Sequence, residues 1–430
     1  MTATLLQRVQ SHTRIPLFRE GYALILSSAI AAGLGFLFWL VAARMYSPET
    51  VGLNSAAVSA MLFISGLSQL NLSSALIRFL PIAGRKTGRL IVLSYVVPTV
   101  VGVVSGAIFL IGLDTWTPNL AFLTRNAGFE IWFIAAVIAW NVFVLQDAVL
   151  TGFRRAIWVA ADTTLFSVTR LVLLIALAGS LPAYGMFASW TAAIIASIVP
   201  INLFIVYRVV RPRTRTTTSD GAGVSVPRLV RFAGLDYLGW MGFLAATTLI
   251  PLMITQRAGA AENAYFSLAW AIVLPLYLLS SNMGMSLVVS AADDEDNLGL
   301  HLRRAAVQTL RLAVPLVVLV VVLAPYVLRL FGPAYASHAT GTLRLVALSA
   351  IPNIVTTLYV YTCRARRKMV RLVIVLTAEC SVVVVLSYLL LDPWGIAGVG
   401  AAWVIGQSVV AVAILLRTMP AFVAQPGTAA

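Results

Sequence analysis

Charged residues are scarce in this chain. Only 10% of its 430 residues are Asp, Glu, Lys or Arg, whereas 60% are hydrophobic, and the mean hydropathy is +0.94. A soluble domain carries roughly 25% charged residues, which it needs to cover its surface. The scarcity of charge therefore excludes a soluble domain and predicts a protein whose surface faces lipid.

Cysteine and histidine are scarce as well. The chain has two cysteines, Cys363 and Cys380, and three histidines, His12, His301 and His338. No pair has the spacing of metal ligands, and the two cysteines fall in different surroundings, a basic loop and an apolar segment. We therefore expect no disulfide, no metal site and no cofactor.

Long apolar runs, in contrast, recur along the whole chain. About 20 apolar residues in a helix cross the hydrocarbon core of a bilayer. We predict an all-α polytopic membrane protein with about twelve transmembrane helices of this length. The predicted spans are 21–43, 52–77, 90–113, 130–150, 158–180, 184–207, 235–256, 263–290, 312–331, 342–361, 370–391 and 396–417. The first run is too long for the apolar region of a cleaved signal peptide, so we expect it to be retained.

Basic residues predict the orientation of these spans. Lys and Arg number 30 against 15 acidic residues, which gives a net charge of +15. With the N-terminus inside, most of the 30 fall in cytosolic segments, including the turn at Arg154-Arg155 and the segment 364–371. We expect the protein in the cytoplasmic membrane. The positive-inside rule then places both termini and the longest connection, 208–234, in the cytosol. This bias also explains the net charge without nucleic-acid binding.

An internal repeat divides the chain into two halves. The segment Gly185 to Trp190 matches Gly398 to Trp403, which lies 213 positions later. The turn at Arg154-Arg155 matches Arg366-Arg367 at an offset of 212. We predict an N-terminal six-helix lobe at 1–207, a cytosolic linker at 208–234 and a C-terminal six-helix lobe at 235–430. Six is even, so both lobes enter the membrane from the same side, as in transporters with parallel repeats.

Three segments resemble a known family. They are Arg44–Gly52 (RMYSPETVG), Leu76–Pro81 (LIRFLP) and Gln146–Arg155 (QDAVLTGFRR). With the span count and the two-half layout, they resemble the polysaccharide transporter (O-antigen flippase-like) branch of the multidrug/oligosaccharidyl-lipid/polysaccharide exporter superfamily, across essentially the whole chain. The resemblance implies a MATE-like fold, two six-helix lobes around a cavity that opens alternately to each side.

The resemblance also implies a function. Proteins of that branch move polyprenyl-diphosphate-linked oligosaccharides across the cytoplasmic membrane for polysaccharide and lipopolysaccharide biosynthesis, without enzymatic chemistry. The substrate lipid and the bilayer are then the partners, together with polysaccharide-assembly proteins. The peptidoglycan-precursor branch resembles this layout but has two extra helices, which argues against a lipid II substrate.

Two other functions stay open. A MATE-type drug or cation antiporter has the same fold and differs in its cavity, because an acidic cavity suits cationic drugs and a basic one suits diphosphate. An integral glycosyltransferase or polymerase would need a large outer loop or a catalytic acidic pair. The longest outer loops, such as 114–129 and 332–341, are short, which disfavours the enzyme.

Two charges fall near the middle of predicted spans. A charge inside a bilayer costs on the order of 2.5–3.5 kcal/mol on insertion scales, so each needs a physical reason. Arg170 lies in span five and Glu379 in span eleven, at positions that the repeat makes nearly equivalent. They are structural, either as an ion pair or as two separately solvated groups in the lobe interiors, or they are functional. In the functional case Arg170 binds the diphosphate of the substrate and Glu379 carries a coupling ion.

Weaker candidates lie nearer the span ends. Arg78 ends span two, where the resemblance places it on the cavity wall; it either holds the diphosphate or anchors the span. Asn282 in span eight is a polar candidate for substrate binding. Asp236 at the start of span seven is either a coupling-ion carrier or a charge favoured by the helix N-terminus.

Further acidic residues have structural explanations. Asp147 and Asp162 flank the turn at Arg154-Arg155, and we predict that they pair with these arginines. The run Asp293-Asp294-Glu295-Asp296 precedes an amphipathic stretch from Leu298 to Arg311. Acidic residues ahead of a helix favour its dipole, so helix capping explains this run better than a magnesium-diphosphate site.

Overall fold

The computed structural model describes residues 16–211, 226–293 and 298–423, and all regular elements in these ranges are helical. The helices up to residue 211 are α1 Pro16–Met45, α2 Pro48–Gln69, α3 Leu72–Phe79, α4 Thr87–Ile111, α5 Leu113–Trp116, α6 Ala127–Gly152, α7 Ala156–Leu177 and α8 Gly185–Phe204. Helix α8 continues as a π-helical segment, Ile205–Val210. Short 3-10 helices connect some of them, at Leu80–Ile82, Gly84–Lys86 and Pro118–Thr124.

The helices after residue 225 are longer. They are α9 Val226–Arg257, α10 Ala260–Asp293, α11 Leu298–Phe331, α12 Pro333–Ala365 and α13 Met369–Val423. Local signals in the sequence explain several starts. Helices α2 and α12 begin with a proline, whose missing N–H costs nothing in the first turn. The hydroxyl of Ser47 caps α2 by accepting from the backbone N–H of Thr50 at 3.2 Å.

Ten stretches of the described helices are long and apolar enough to cross a membrane. The last, Met369–Arg417, has 49 residues and is interrupted at Gly395, where φ is 59° and ψ is −150°. At 1.5 Å per residue it rises about 73 Å, more than twice the roughly 30 Å of a hydrocarbon core. It therefore contains the last two predicted spans, and α1, with 30 residues, contains the first. The prediction of an all-helical, multi-pass membrane protein is confirmed.

Predicted span two, 52–77, is not one continuous helix. Helix α2 ends at Gln69, and the next two residues, Leu70 and Asn71, have φ of 50° and 56°. This left-handed region costs a non-glycine residue roughly 1–2 kcal/mol. The Asn71 side chain makes a local bond there, its Oδ1 accepting from the Ser74 hydroxyl at 2.8 Å. The apolar pattern runs through the break, which is why the sequence did not reveal it.

The described chain forms two compact units. Unit 1 comprises the described residues of Met1–Met45, Ile64–Gly112 and Phe122–Gly234, and unit 2 those of Tyr46–Phe63, Leu113–Ala121 and Leu235–Ala430. The segments 46–63 and 113–121, although early in the chain, thus belong to the same unit as α9 to α13. The boundaries of the two predicted lobes stay a prediction.

Each unit has an apolar core of its own. In unit 1, Leu76 and Leu80 pack with Leu145 and Val149 of α6. In unit 2, Leu298 at the start of α11 packs in one cluster with residues of α10 and α12, and Ala365 at the end of α12 packs against that cluster. The start of α11 and the turn between α12 and α13 therefore lie at the same end of unit 2.

A glycine allows two helices of unit 2 to touch through their backbones. A Cβ atom on Gly52 of α2 would lie 1.6 Å from the carbonyl oxygen of Ala260 in α10, closer than any real contact. The Asn263 side chain also donates to the Gly52 carbonyl at 2.8 Å. Only glycine permits this approach.

The internal repeat is visible in two turns. After α6, the backbone N–H of Arg155 donates to the carbonyl of Leu150 at 2.9 Å, and after α12 that of Lys368 donates to Cys363 at 2.8 Å. The arginine just before each donor has a left-handed backbone, with φ of 58° in the first turn and 55° in the second. These hydrogen bonds correct the predicted offset of 212 for this turn to 213, the offset of the glycine-tryptophan segments.

Candidate functional site

Arg170 lies in an aromatic box in unit 1. Its side chain leaves α7 and is only 7% exposed. The guanidinium carbon is 4.1 Å from the ring centroid of Phe38, 4.3 Å from that of Trp190 and 4.9 Å from that of Phe166. A cation over an aromatic face gains about 2 kcal/mol or more where water is excluded. The rings thus offset part of the cost of burying this charge.

The polar atoms of this box are donors that lack acceptors. Among the described residues, Nε of Arg170 and Nε1 of Trp190 are buried without a hydrogen-bond partner, and Arg170 has no ion pair. A guanidinium and an indole N–H donate and cannot accept. The box, defined by Arg170, Phe38, Phe166 and Trp190, is therefore suited to an anion, which arginine binds well through paired N–H groups.

A buried hydrogen-bond network lies on the same helix, eight residues before Arg170. Asp162 is 0% exposed; its Oδ2 accepts from Nε2 of Gln146 at 2.6 Å, and its Oδ1 accepts from the Ser197 hydroxyl. Nδ2 of Asn202 donates to Oε1 of Gln146 at 2.7 Å, and the Tyr95 hydroxyl donates to Oδ1 of Asn202 at 3.0 Å. Four helices of unit 1 therefore meet in this network, namely α4, α6, α7 and α8.

The predicted pairing of Asp147 and Asp162 with the arginine turn is wrong. Within the described residues neither aspartate has an ion pair with Arg154 or Arg155, which are both exposed. Oδ1 of Asp147 is instead buried without a hydrogen-bond partner among the described residues. Because α6 supplies the amide of Gln146 and α8 the hydroxyl of Ser197, the carboxylate of Asp162 is satisfied inside the helix bundle.

Glu379 lies in unit 2 in a different environment. Its side chain is 7% exposed, and its Oε1 accepts from Nε2 of Gln407 at 2.5 Å. Oε2 of Glu379 and Oε1 of Gln407 are buried acceptors without a donor among the described residues. A cavity of about 10 Å³, the size of a single water molecule, lies between Glu379, Gly242, Cys380 and Trp403. Trp403 also contributes a buried Nε1 donor without a partner in the described part of the chain, so the site differs from the aromatic box in its carboxylate and its two free acceptors, which suit a proton or a small cation.

The two sites occupy matching places in the repeat. At an offset of 213, Trp190 of the aromatic box matches Trp403 beside the Glu379 cavity. Phe166 matches Glu379, and Arg170 matches Val383, which also lines that cavity. The predicted near-equivalence of the two charges therefore holds to within about one helical turn. Each charge has its own partners within its own unit.

The structure places the weaker candidates elsewhere. Arg78 is exposed at the end of α3, with its guanidinium carbon 5.9 Å from the Phe79 ring centroid. Asn282 is exposed on α10. Asp236 belongs to α9, but its side chain lies outside the described part of the structure, as does most of the acidic run 293–296.

The partners of both charges were not among the predicted site residues. Trp190 and Trp403 served only to define the internal repeat, and Gln407 was not predicted to have a role. The chain has ten tryptophans, and the amide of Gln407 carries no charge, so neither residue stands out beside a charge in an apolar run. The signal that was present is spacing, because Gln407 lies four residues after Trp403, on the same face of α13.

Comparisons with known proteins support the fold. No family model and no curated protein matches the chain. Among solved structures, a multidrug resistance MATE family transporter of the MOP superfamily, inward-facing, is similar with a TM-score of 0.72 and 15% identity over 95% of this chain and 100% of the other. The lipid II flippase MurJ, in an inward closed conformation, is similar with a TM-score of 0.74 and 12% identity over 92% of this chain and 87% of the other.

A third similar structure is a MOP superfamily transporter from Pyrococcus furiosus with a binding pocket of reversed polarity, at a TM-score of 0.57 and 13% identity over 94% of this chain and 95% of the other. Likeness at such low identity concerns the fold. The chain has the MATE- and MurJ-like fold of MOP superfamily transporters, and the predicted MATE-like architecture is confirmed.

Proposed function

We propose that this protein moves a polyprenyl-diphosphate-linked oligosaccharide across the cytoplasmic membrane by alternating access, with both termini in the cytosol. The observation that carries the proposal is the aromatic box. Its buried polar atoms, Nε of Arg170 and Nε1 of Trp190, are donors without acceptors. A diphosphate offers acceptors and negative charge in one group, so it complements this site better than a cation does.

The fold is consistent with such a substrate. One of the similar structures is a lipid II flippase, and flipping a lipid-linked precursor is the task proposed for this chain. The chain covers 87% of that flippase, in keeping with the smaller number of predicted spans. The substrate proposed here is an oligosaccharide precursor other than lipid II. In this proposal Arg78 at the predicted cytosolic mouth contacts the diphosphate first, and Asn282 contributes a polar contact to the sugar.

The Glu379 site supplies the coupling ion in this proposal. Its unmatched acceptors, on Glu379 and Gln407, complement a proton or a small cation. Asp236, which lies ten residues after the start of α9, the helix that also contributes Gly242 to the cavity, is a second ion carrier in the proposal. An inward ion gradient would then drive the outward movement of the lipid.

The same acidic site favours a second candidate, a cation or drug antiporter. A carboxylate in a small cavity binds cations, and MATE transporters named for multidrug resistance share the fold. The two candidates differ in which site contacts the transported molecule. Arg170 has no role in binding a cationic drug, whereas Glu379 would be required.

Deletion and complementation separate the candidates. In a deletion strain we expect lipid-linked oligosaccharide to accumulate on the cytosolic leaflet and surface polysaccharide to fall, while sugar assembly continues. Wild-type protein should restore export, and Arg170→Gln should not, although its abundance is unchanged. Losing a charge-assisted hydrogen bond costs about 1.5–3 kcal/mol, or about 10- to 150-fold in transport.

The control is Arg344→Gln, which removes an exposed arginine bonded only to the Val321 carbonyl among the described residues, at 3.1 Å. This variant should export normally. A deletion strain with normal polysaccharide and raised sensitivity to cationic drugs would identify an antiporter instead. A shorter or chemically altered surface glycan would point to an enzyme.

A further inference from the structure

Helix α11 is too long for the membrane core alone. Its 34 residues rise about 51 Å, against a hydrocarbon core of roughly 30 Å. The predicted span within it, 312–331, accounts for the core. The first part of the helix, Leu298–Arg311, therefore extends past the core, and it contains Arg303, Arg304 and Arg311.

The two faces of this first part differ sharply. One face packs on unit 2, where Leu298 is buried and Leu302 and Ala305 pack against the same cluster. The opposite face is exposed. It consists of residues spaced three or four apart, which share one side of a helix, and these are Leu300, Arg303, Arg304, Val307, Leu310 and Arg311.

Neither water nor hydrocarbon suits this exposed face. Leu300 is 45% exposed, and Val307 and Leu310 are each 40% exposed, although they alternate with arginines. Within the described residues, the guanidinium groups of Arg303, Arg304 and Arg311 have no hydrogen bond or ion pair. Apolar side chains and cations on one helix face are typical of the headgroup region of a bilayer, where acyl chains and phosphates are both within reach.

More positive charge lies at the same end of unit 2. The turn after α12 carries Arg366, Arg367 and Lys368, all exposed. Ala365 packs against the cluster that contains Leu298, which places this turn beside the start of α11. The acidic residues 293–296 precede α11, but Arg303 is more than one helical turn from its start and Arg311 more than three.

We infer that the exposed face of residues 300–311 is a binding surface for anionic phospholipids of the cytosolic leaflet. The arginines bind the headgroup phosphates, and Leu300, Val307 and Leu310 enter the acyl region. A basic residue near an anionic surface strengthens binding about fivefold, the equivalent of about 1 kcal/mol. The inference takes only the cytosolic side of this surface from the proposed function, and lipid binding itself is measurable without transport.

Native mass spectrometry of the purified full-length protein tests this surface. Phosphatidylglycerol and phosphatidylcholine are titrated separately onto the wild type and onto the triple variant Arg303→Gln, Arg304→Gln, Arg311→Gln. We expect the wild type to prefer phosphatidylglycerol and the triple variant to lose up to about a hundredfold of that affinity. The single variant Arg304→Gln should lose about fivefold, which keeps the test informative if the triple variant folds poorly.

The matched control removes the same charge elsewhere, by Arg125→Gln, Arg329→Gln and Arg344→Gln, at exposed arginines outside this face. It should retain the preference for phosphatidylglycerol. Equal losses in both triple variants, or no loss in either, would overturn the inference. Displacement of phosphatidylglycerol by glycerol phosphate would identify a site for a free anion, and displacement by an isoprenoid diphosphate a substrate entry site; either result also overturns it.

Discussion

At the scale of single residues, Arg170 and Glu379 are buried charges with opposite needs. Arg170 and the neighbouring Trp190 offer donors, while Glu379 and Gln407 offer acceptors. Leaving a buried polar group unsatisfied costs about 1–3 kcal/mol, and more for a charged one. At each of these two sites the unpartnered atoms include those of a buried charged side chain, which is why both sites are candidates for ligands.

Substituting Glu379 tests the coupling site. Glu379→Gln removes the charge but keeps an acceptor for Gln407, whose amide donates at 2.5 Å in the wild type. We expect normal abundance and a transport rate that no longer responds to an imposed proton or sodium gradient. Loss of a charged ligand costs about 1.5–3 kcal/mol, or about 10- to 150-fold in ion affinity.

Transport into inverted vesicles, with and without each gradient, is the measurement. Glu379→Asp keeps the charge and should keep the response to the gradient. If Glu379→Gln responds to the gradient as the wild type does, Glu379 has no part in coupling.

The charges were predictable from the sequence, but their surroundings were not. Arg170 and Glu379 stand out because a charge within an apolar run is costly and rare. Gln146, Asn202 and Ser197, which surround Asp162, are single polar residues on separate helices. Which of them meet depends on how the helices rotate in the bundle, and an almost uniformly apolar helix carries little periodic signal for that rotation. The pairing assigned to Asp162 failed for this reason.

At the scale of the helix, the contact between α2 and α10 depends on a missing side chain. A Cβ on Gly52 would overlap the backbone of Ala260, and backbone atoms give way less readily than the end of a flexible side chain. Separating the two helices would also stretch the bond from Asn263 to the Gly52 carbonyl.

Gly52→Ala should therefore lower the stability of the protein. Overpacking of this kind costs about 1–3 kcal/mol, and we expect a lower midpoint of thermal unfolding in detergent. Gly33→Ala is the matched control, since a Cβ at Gly33 of α1 would meet nothing within 4 Å. Replacing an open helical glycine by alanine gains about 0.5–1 kcal/mol. A Gly52→Ala protein as stable as the control would contradict the contact.

Helix existence was easier to predict than helix continuity. Each predicted span coincides largely with helical residues, because length and hydropathy are strong signals. The break at Leu70 and Asn71 was not predicted, because a positive φ is uncommon for a bulky residue such as leucine. The interruption at Gly395 coincides with a predicted boundary between two spans, where glycine adopts the φ of 59° without strain.

At the scale of the whole molecule, orientation is the open prediction. The structure alone does not show which ends of the helices face the cytosol. The positive-inside rule assigns the cytosolic side from the distribution of basic residues. The rule places the 208–234 connection in the cytosol and the start of α12 outside.

Cysteine labelling tests this orientation. Single cysteines are introduced at Thr217, which lies outside the described residues, and at Ser337, which is exposed near the start of α12. The native Cys363 and Cys380 are first replaced by serine. In intact cells we expect an impermeant reagent to label position 337, and to reach position 217 only after permeabilisation. Labelling at 217 but not at 337 would reverse the orientation.

The matching turns after α6 and α12 also bear on the ancestry of this chain. The same backbone hydrogen bond recurs 213 positions apart, at the offset that also relates the two glycine-tryptophan segments, as a duplicated segment would leave it. The charges do not follow that pattern. At an offset of 213, Arg170 matches Val383 and Glu379 matches Phe166. The two halves thus share a backbone turn at equivalent positions, while the buried charges at nearly equivalent positions, Arg170 and Glu379, are positive in one half and negative in the other.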